Sequence, residues 1–277
     1  MAWRKIEEGA GHRQARKAVL QVVGRMNPGG VETWLLHVLR RMDPARFRMD
    51  FLVFEDGAYA GEVRSAGGRL VRCANPQRHP LGFLRDLSRI LREDGPYDAV
   101  HCHMNHFSGL VLRAAHRAGV PARISQSHID TSRVDGAARG VRQGYLALSR
   151  MLIDRHATHL LAVSDEAGRS LYGPRYRDDL RFRRFACALD FERFAQVPDK
   201  AALRRALGLP ASAIVVGNVG RLAPQKNQAF LLEVLAAAAR EEPSLRAVIV
   251  GDGPLRGPLI AKARGLGLED RVMFMGP

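Results

Sequence analysis

The sequence predicts an α/β protein built from two doubly wound domains, each a parallel sheet flanked by helices, the second incomplete. Three observations predict it. Strand-length apolar runs alternate with helix-period segments from residue 18 to 277, a pattern that means βα units and parallel strands. The 277 residues suffice for two domains of ordinary size. The alternation lapses after Val163 and resumes at Ala213, which separates two series.

The elements follow in order. Ala18 to Val23 is the first strand, and Val31, Trp34, Leu35, Val38, Leu39 and Met42 then form one helical stripe. Met49 to Phe54 is the second strand, Tyr59 to Ala66 a short helix, and Arg69 to Arg72 a short strand. Pro80 to Glu93 is helical, with Pro80 near its start. Tyr97 to Cys102 is a strand, Ser108 to Ala118 a helix, and Ala122 to Gln126 a strand. An amphipathic helix spans the basic block from Arg133 to Arg155, before the strand His159 to Val163. Ser164 caps a helix running to about Leu171, and Tyr172 to Arg184 reads as an irregular excursion. The second series comprises strand Ala213 to Val219, helix Gln228 to Ala239, strand Leu245 to Val250, helix Leu255 to Leu266 and strand Arg271 to Met275. The domains are therefore drawn as a tail over 1–17, a first domain over 18–185, a linker over 186–199 and a second domain over 200–277. Three strands and two helices leave an edge or face of the second sheet uncovered, so a fragment, or a covering partner, is expected.

The net charge of +15 attracts anions: nucleotides, acidic lipid headgroups or nucleic acid. Nucleic-acid binding ranks low, because no recognition motif is present and the strands lack interleaved aromatics. No apolar run approaches the ~20 residues that span a bilayer, and the polar N-terminus has no signal-peptide character. Cys73, Cys102 and Cys187 are widely spaced and suit a reducing cytosol.

Ligands of doubly wound sheets bind at the carboxyl ends of strands, and every loop of chemical interest lies at such an end. Gly217-Asn-Val-Gly-Arg-Leu-Ala-Pro-Gln-Lys-Asn227 joins a strand to a helix and carries Arg221 and Lys226. A helix N-terminus with two cations makes a diphosphate site. Gly29 and Gly30, with Asn27, allow close backbone approach to a ligand ahead of another helix. His101 and His103 share a strand face at the end of the fourth strand, and His128 follows the fifth. Metal ligation has no support from ligand spacing. Gly251-Asp-Gly-Pro254 is a strand-ending turn, and turn chemistry accounts for Asp252.

With these residues assembled, the chain resembles the retaining glycosyltransferases of two facing Rossmann-like domains, the GT-B fold, and most of all the bacterial group that builds exopolysaccharides and capsules. The resemblance rests on Asn27-Pro-Gly-Gly-Val-Glu32, Val100-His-Cys-His103, Ala162-Val-Ser164, Gly217-Asn-Val-Gly-Arg-Leu222 with Lys226-Asn227, and Val248-Ile-Val-Gly-Asp-Gly-Pro254. It implies transfer of a sugar from a nucleotide-sugar donor to a glycan or lipid-linked acceptor, with retention and without a metal or other cofactor. Arg221 and Lys226 would hold the donor diphosphate, with Gly29 and Gly30 near donor phosphate and acceptor. His103 would be the catalytic residue beside the transferred sugar, and Asn27, His128, Ser164, Gly220 and Gly251 would line the cleft. The family's Glu-x7-Glu element would fall beyond residue 277, so truncation of the donor domain, and with it inactivity, is expected. Cys187-Ala-Leu-Asp190 stands where Asn-Gly-Ile/Val-Asp is usual. The protein is expected in the cytoplasm, peripheral at the inner face of the membrane. The alternative is a non-catalytic partner of a glycan-assembly complex that binds a membrane or another subunit.

Overall fold

The computed structural model describes residues 16–188, 191–195 and 198–277, apart from the side chain of 193. The chain divides into two compact units between Asp190 and Phe191, within the stretch 186–199 drawn as a linker. Most of the tail over 1–17 lies outside the described residues, as do residues 189 and 190 of the Cys187-Ala-Leu-Asp190 stretch.

Unit 1 runs β1 (Lys17–Gly24), α1 (Gly30–Arg41), β2 (Phe47–Val53), α2 (Ala60–Ser65), β3 (Arg69–Arg72), α3 (Pro80–Glu93), β4 (Ala99–Cys102), a 3-10 turn (Asn105–Phe107), α4 (Ser108–Arg117), β5 (Ala122–Ser127), α5 (Ser132–Gly136), α6 (Gly140–His156), β6 (His159–Ala162), α7 (Asp165–Tyr172) and β7 (Phe182–Arg184). Its seven strands are ordered β3-β2-β1-β4-β5-β6-β7 and pair in parallel. The winding reverses between β1 and β4, and such a reversal opens a crevice at the carboxyl ends of the two strands. Burial on both faces explains the unbroken apolar runs. Leu20, Val22, Leu52 and Val100 pack with Phe83, Leu87 and Ile90 of α3 and Val111 of α4. Phe51 and Val53, of opposite parity, pack with Trp34, Leu35 and Leu39 of α1.

Unit 2 contains a 3-10 turn (Glu192–Phe194), α8 (Lys200–Ala206), β8 (Ile214–Val219), a 3-10 turn (Pro224–Lys226), α9 (Gln228–Glu241), β9 (Leu245–Val250), α10 (Arg256–Gly265) and β10 (Val272–Gly276). Its strands are parallel in the order β10-β9-β8. Leu245, Ala247 and Ile249 alternate along β9 and pack with Leu232 and Leu235 of α9 and Leu259 of α10. Every second residue of β9, such as Val248, is only half-buried. No helix among the described residues is long and apolar enough to cross a membrane.

Three expectations change. The basic block is two helices, α5 and α6, because Gly140 adopts φ +55° and turns the chain between them. The excursion over 172–184 ends in the edge strand β7, whose Phe-Arg-Arg sequence carries one apolar residue and no alternation to read. β1 takes in Lys17, whose ammonium pairs with Asp98 at 2.8 Å.

Candidate functional site

At the carboxyl edge of unit 1, Gly24 ends β1 at φ +84°, with Phe54 packed where a side chain would stand. Asn27 does not stay free for a ligand: its Oδ1 accepts from the Ala58 N–H at 2.8 Å and ties this loop to the one after β2. Gly29 is the extended N-cap of α1 and makes no side-chain cap bond. A Cβ there would meet the Glu32 carboxylate, whereas a Cβ on Gly30 would meet nothing within 4 Å. Glu32 sits in the first turn of α1, and burial raises its pKa. The Gly29–Gly30 loop thus presents open backbone beside an acid. Ser164 caps α7 by accepting from the Ala167 N–H at 3.2 Å.

The histidines of this edge form a chain. His103 Nε2 lies 2.8 Å from Gln21 Oε1, and His103 Nδ1 lies 2.9 Å from His128 Nε2. His128 Nδ1 faces the Cys187 thiol at 3.9 Å. A glutamine carbonyl only accepts, so His103 carries its proton on Nε2. Its Nδ1 then accepts from His128 Nε2–H, and His128 Nδ1 is left to accept from Cys187. Trp34 packs against both rings, with centroids 6.0 and 6.2 Å away. Burial lowers the pKa of all three histidines: to about 3 for His101, to about 4 for His128, and well below the usual value for His103, where His101 and His128 add to it. The cluster is therefore neutral at physiological pH. Further along the edge, buried His106 meets Asp135 at 2.8 Å, and Thr131 donates to the same carboxylate.

The carboxyl edge of unit 2 is built from backbone. Gly220 N–H donates to Val250 O at 2.9 Å, Leu222 N–H to Asp252 O at 3.0 Å, Leu255 N–H to Leu222 O at 3.1 Å and Gly251 N–H to Gly276 O at 2.7 Å. The loops after β8 and β9 lie so close that a Cβ on Gly251 would run into the Gly220 carbonyl, and one on Gly253 into the Leu222 carbonyl. Both glycines also have positive φ, +138° and +159°. Asp252 serves the turn, accepting from the Gly253 N–H at 2.7 Å. Asn227, at φ +51°, caps α9 without a side-chain cap bond. The buried Gln228 amide donates to Arg221 O at 3.1 Å and fixes the loop to the helix start. Lys226 lays its methylenes along Gly220, about 3.8 Å from where a Cβ would be. The Arg221 and Lys226 side chains are exposed, and among the described residues neither has a hydrogen bond or ion pair. Two unpaired cations therefore belong to the loop that leads into α9, whose backbone is pinned by Gln228 and by the loop after β9.

Two family descriptions match this architecture in register with the units. The Glycosyl transferase 4-like domain matches residues 29–188, and Glycosyl transferases group 1 matches residues 199–277. The chain belongs to the GT-B glycosyltransferases. Bacillus subtilis EpsF is 35% identical over 95% of this chain and 69% of its own length. The D-inositol 3-phosphate glycosyltransferase of Actinosynnema mirum is 30% identical over 71% of this chain and 49% of its own. Among solved structures, Anabaena HepE in complex with UDP-glucose superposes with a TM-score of 0.76 at 23% identity, covering 94% of this chain and 68% of that one. That likeness concerns the fold.

In this glycosyltransferase, sequence reasoning missed Gln21, Trp34 and Cys187 as members of the histidine chain. Gln21 was signalled: it is the one polar residue inside the apolar run of β1, at the centre of the sheet. Trp34 and Cys187 carried no such signal, since a stripe aromatic and an isolated cysteine look alike wherever they pack. Among the described residues, no group of three or more His, Cys, Asp or Glu side chains could hold a metal ion.

Proposed function

We propose that unit 2 binds the diphosphate of a nucleotide-sugar, and that the sugar passes with retention to a glycan or lipid-linked acceptor held by unit 1. The observation that carries the reading is the pair of unpaired cations, Arg221 and Lys226, at the N-terminus of α9. Their charge and the helix dipole would stabilise the nucleoside diphosphate as it leaves, which replaces a metal in that role. His103 would face the transferred sugar as a neutral ring, with Gly30 leaving room for substrate. HepE structures contain UDP, UDP-glucose, and UDP with glucose, which supports a nucleotide-sugar as the donor class. Work on exopolysaccharide or capsule at the cytoplasmic face of the membrane fits the acceptor class.

Because the match spans 69% of EpsF, donor binding is the sharper measurement for this chain than turnover. Calorimetry with UDP-glucose should give binding that Arg221→Ala weakens by about tenfold or more, the worth of a charge-assisted hydrogen bond. Equal affinity in both proteins removes Arg221 from the site.

A further inference from the structure

The row of Gln21, His103, His128 and Cys187 has a direction, and its ends must fix it. A neutral imidazole carries one N–H and one lone pair on its two nitrogens. A ring that accepts on one side therefore donates on the other, and each ring hands its neighbour's choice along the row. Two arrangements are self-consistent. In one, the Cys187 thiol donates to His128 Nδ1, His128 Nε2–H to His103 Nδ1, and His103 Nε2–H to Gln21 Oε1. In the other, every donor and acceptor is exchanged and both rings are protonated on Nδ1. Burial keeps the rings neutral, and that matters here: an imidazolium donates from both nitrogens and has no direction to pass on.

At the β1 end, Gln21 is a soft stop. Among the described residues, its amide has no hydrogen bond besides the one to His103, and half a turn about its last bond presents N–H in place of Oε1. Neighbours beside the row do not help. His101 stacks on His103 with centroids 4.1 Å apart, yet both His103 nitrogens are already engaged along the row. Trp34 meets the two rings through ring contacts alone. The other end is Cys187, which follows β7 at the close of unit 1. Its sulfur lies 3.9 Å from His128 Nδ1. Burial raises the pKa of the thiol, so the proton stays on sulfur at neutral pH and is there to be donated.

We propose that Cys187 is a positioning residue: its thiol proton, relayed as hydrogen-bond direction through His128, holds His103 as the Nε2–H tautomer. Cys187 touches no nitrogen of His103 and acts on it two hydrogen bonds away. The consequence for transfer rests on the proposed function, in which His103 faces the sugar: one tautomer keeps that ring in one orientation there.

The test reads the rings directly. Nitrogen chemical shifts of isotopically labelled histidine report which nitrogen of each imidazole carries the proton. In the parent, His103 and His128 should both be protonated on Nε2. Cys187→Ala removes the thiol proton and leaves the His103 contacts to Gln21, His128 and Trp34 in place. The ratio of Nε2–H to Nδ1–H should fall about fivefold in both rings, the worth of one neutral hydrogen bond. Cys187→Ser keeps an O–H donor and should move both rings back toward the parent ratio. Methylthiolation of Cys187 in the folded parent removes the same proton without a substitution, while Cys73 and Cys102 are buried away from the reagent. It should give the same shift as Cys187→Ala, and it carries the test if that variant does not fold. Thermal unfolding of each form checks the fold. A thiol that merely packs would alter stability and leave both tautomers alone. A change confined to His128, or none in either ring, overturns the proposal. So does a parent with both rings protonated on Nδ1. The measurement contains no donor, so removal of Arg221 from the diphosphate site would leave its outcome untouched, and the two readings fail separately.

Discussion

The two carboxyl edges solve the same problem in opposite ways. In unit 1 the strand ends are joined by side chains: Gln21, His103, His128 and Cys187 hydrogen-bond in a row and are neutral. In unit 2 the strand ends are joined by backbone, and the cations Arg221 and Lys226 remain outside the joint. A buried network of side chains has no spare charge to offer a ligand, because burial has already selected the uncharged forms. A joint made of peptide groups consumes no side chain and can keep full charges in solvent. Under the proposed function, charge neutralisation would fall to unit 2, and shape and neutral hydrogen bonding to unit 1.

The comparison breaks most severely at Gly251. Gly251→Ala places a methyl against the Gly220 carbonyl at φ +138°. Neither obstacle is the flexible end of a side chain, so the loops must part. Backbone strain and overpacking together should cost roughly 4 kcal/mol. Hydrogen exchange should show the loss in unit 2 alone, with the β1–β4 amides still protected, and UDP-glucose binding should vanish. Unchanged exchange at Gly220 and Leu222 would mean that the loop joint is not what holds this edge.

A milder break is acid. The pKa values of His101, His103 and His128 are depressed in the fold, so the unfolded chain takes up protons first as pH falls. The stability they contribute is complete above the unfolded pKa near 6.5 and is lost as pH drops toward 4, through the value of about 4 for His128 and on to about 3 for His101. At pH 5.5 the loss should be about 1.4 kcal/mol for each histidine. Urea unfolding between pH 7.5 and 5.0 should show unit 1 weakening while unit 2, which has no histidine among its residues, holds steady. Parallel slopes for the two units would contradict the neutral-cluster account.

Much of this contrast could be read from sequence, and unevenly. Unit 2 was legible because its loop is local: Gly217, Gly220, Arg221, Lys226 and the start of α9 lie within twelve residues, and strand–loop–helix order fixes their neighbourhood. The histidine chain was legible only in part, because it joins residues 21, 103, 128 and 187 through sheet order. Strand register decides that Gln21 stands beside β4, and nothing local encodes a pairing across eighty residues. β7 and the α5–α6 break were hidden for physical reasons as well. An edge strand buries little, and one glycine at φ +55° redirects a helix that composition alone would continue.

The smallest change that sharpens the comparison is at Gln21. Gln21→Leu removes the acceptor for His103 Nε2–H and leaves a polar group unpaired inside the sheet, which should cost about 1–2 kcal/mol. The more specific readout is the ring itself. With Oε1 gone, His103 should no longer be held as the Nε2–H tautomer, and the nitrogen chemical shifts of its imidazole should move toward a mixture of forms. Gln21→Glu acts in the opposite sense: a carboxylate beside the ring favours the imidazolium, so His103 should titrate at higher pH than in the parent. An unaltered tautomer in Gln21→Leu would show that Trp34 packing and His128, rather than β1, orient the ring.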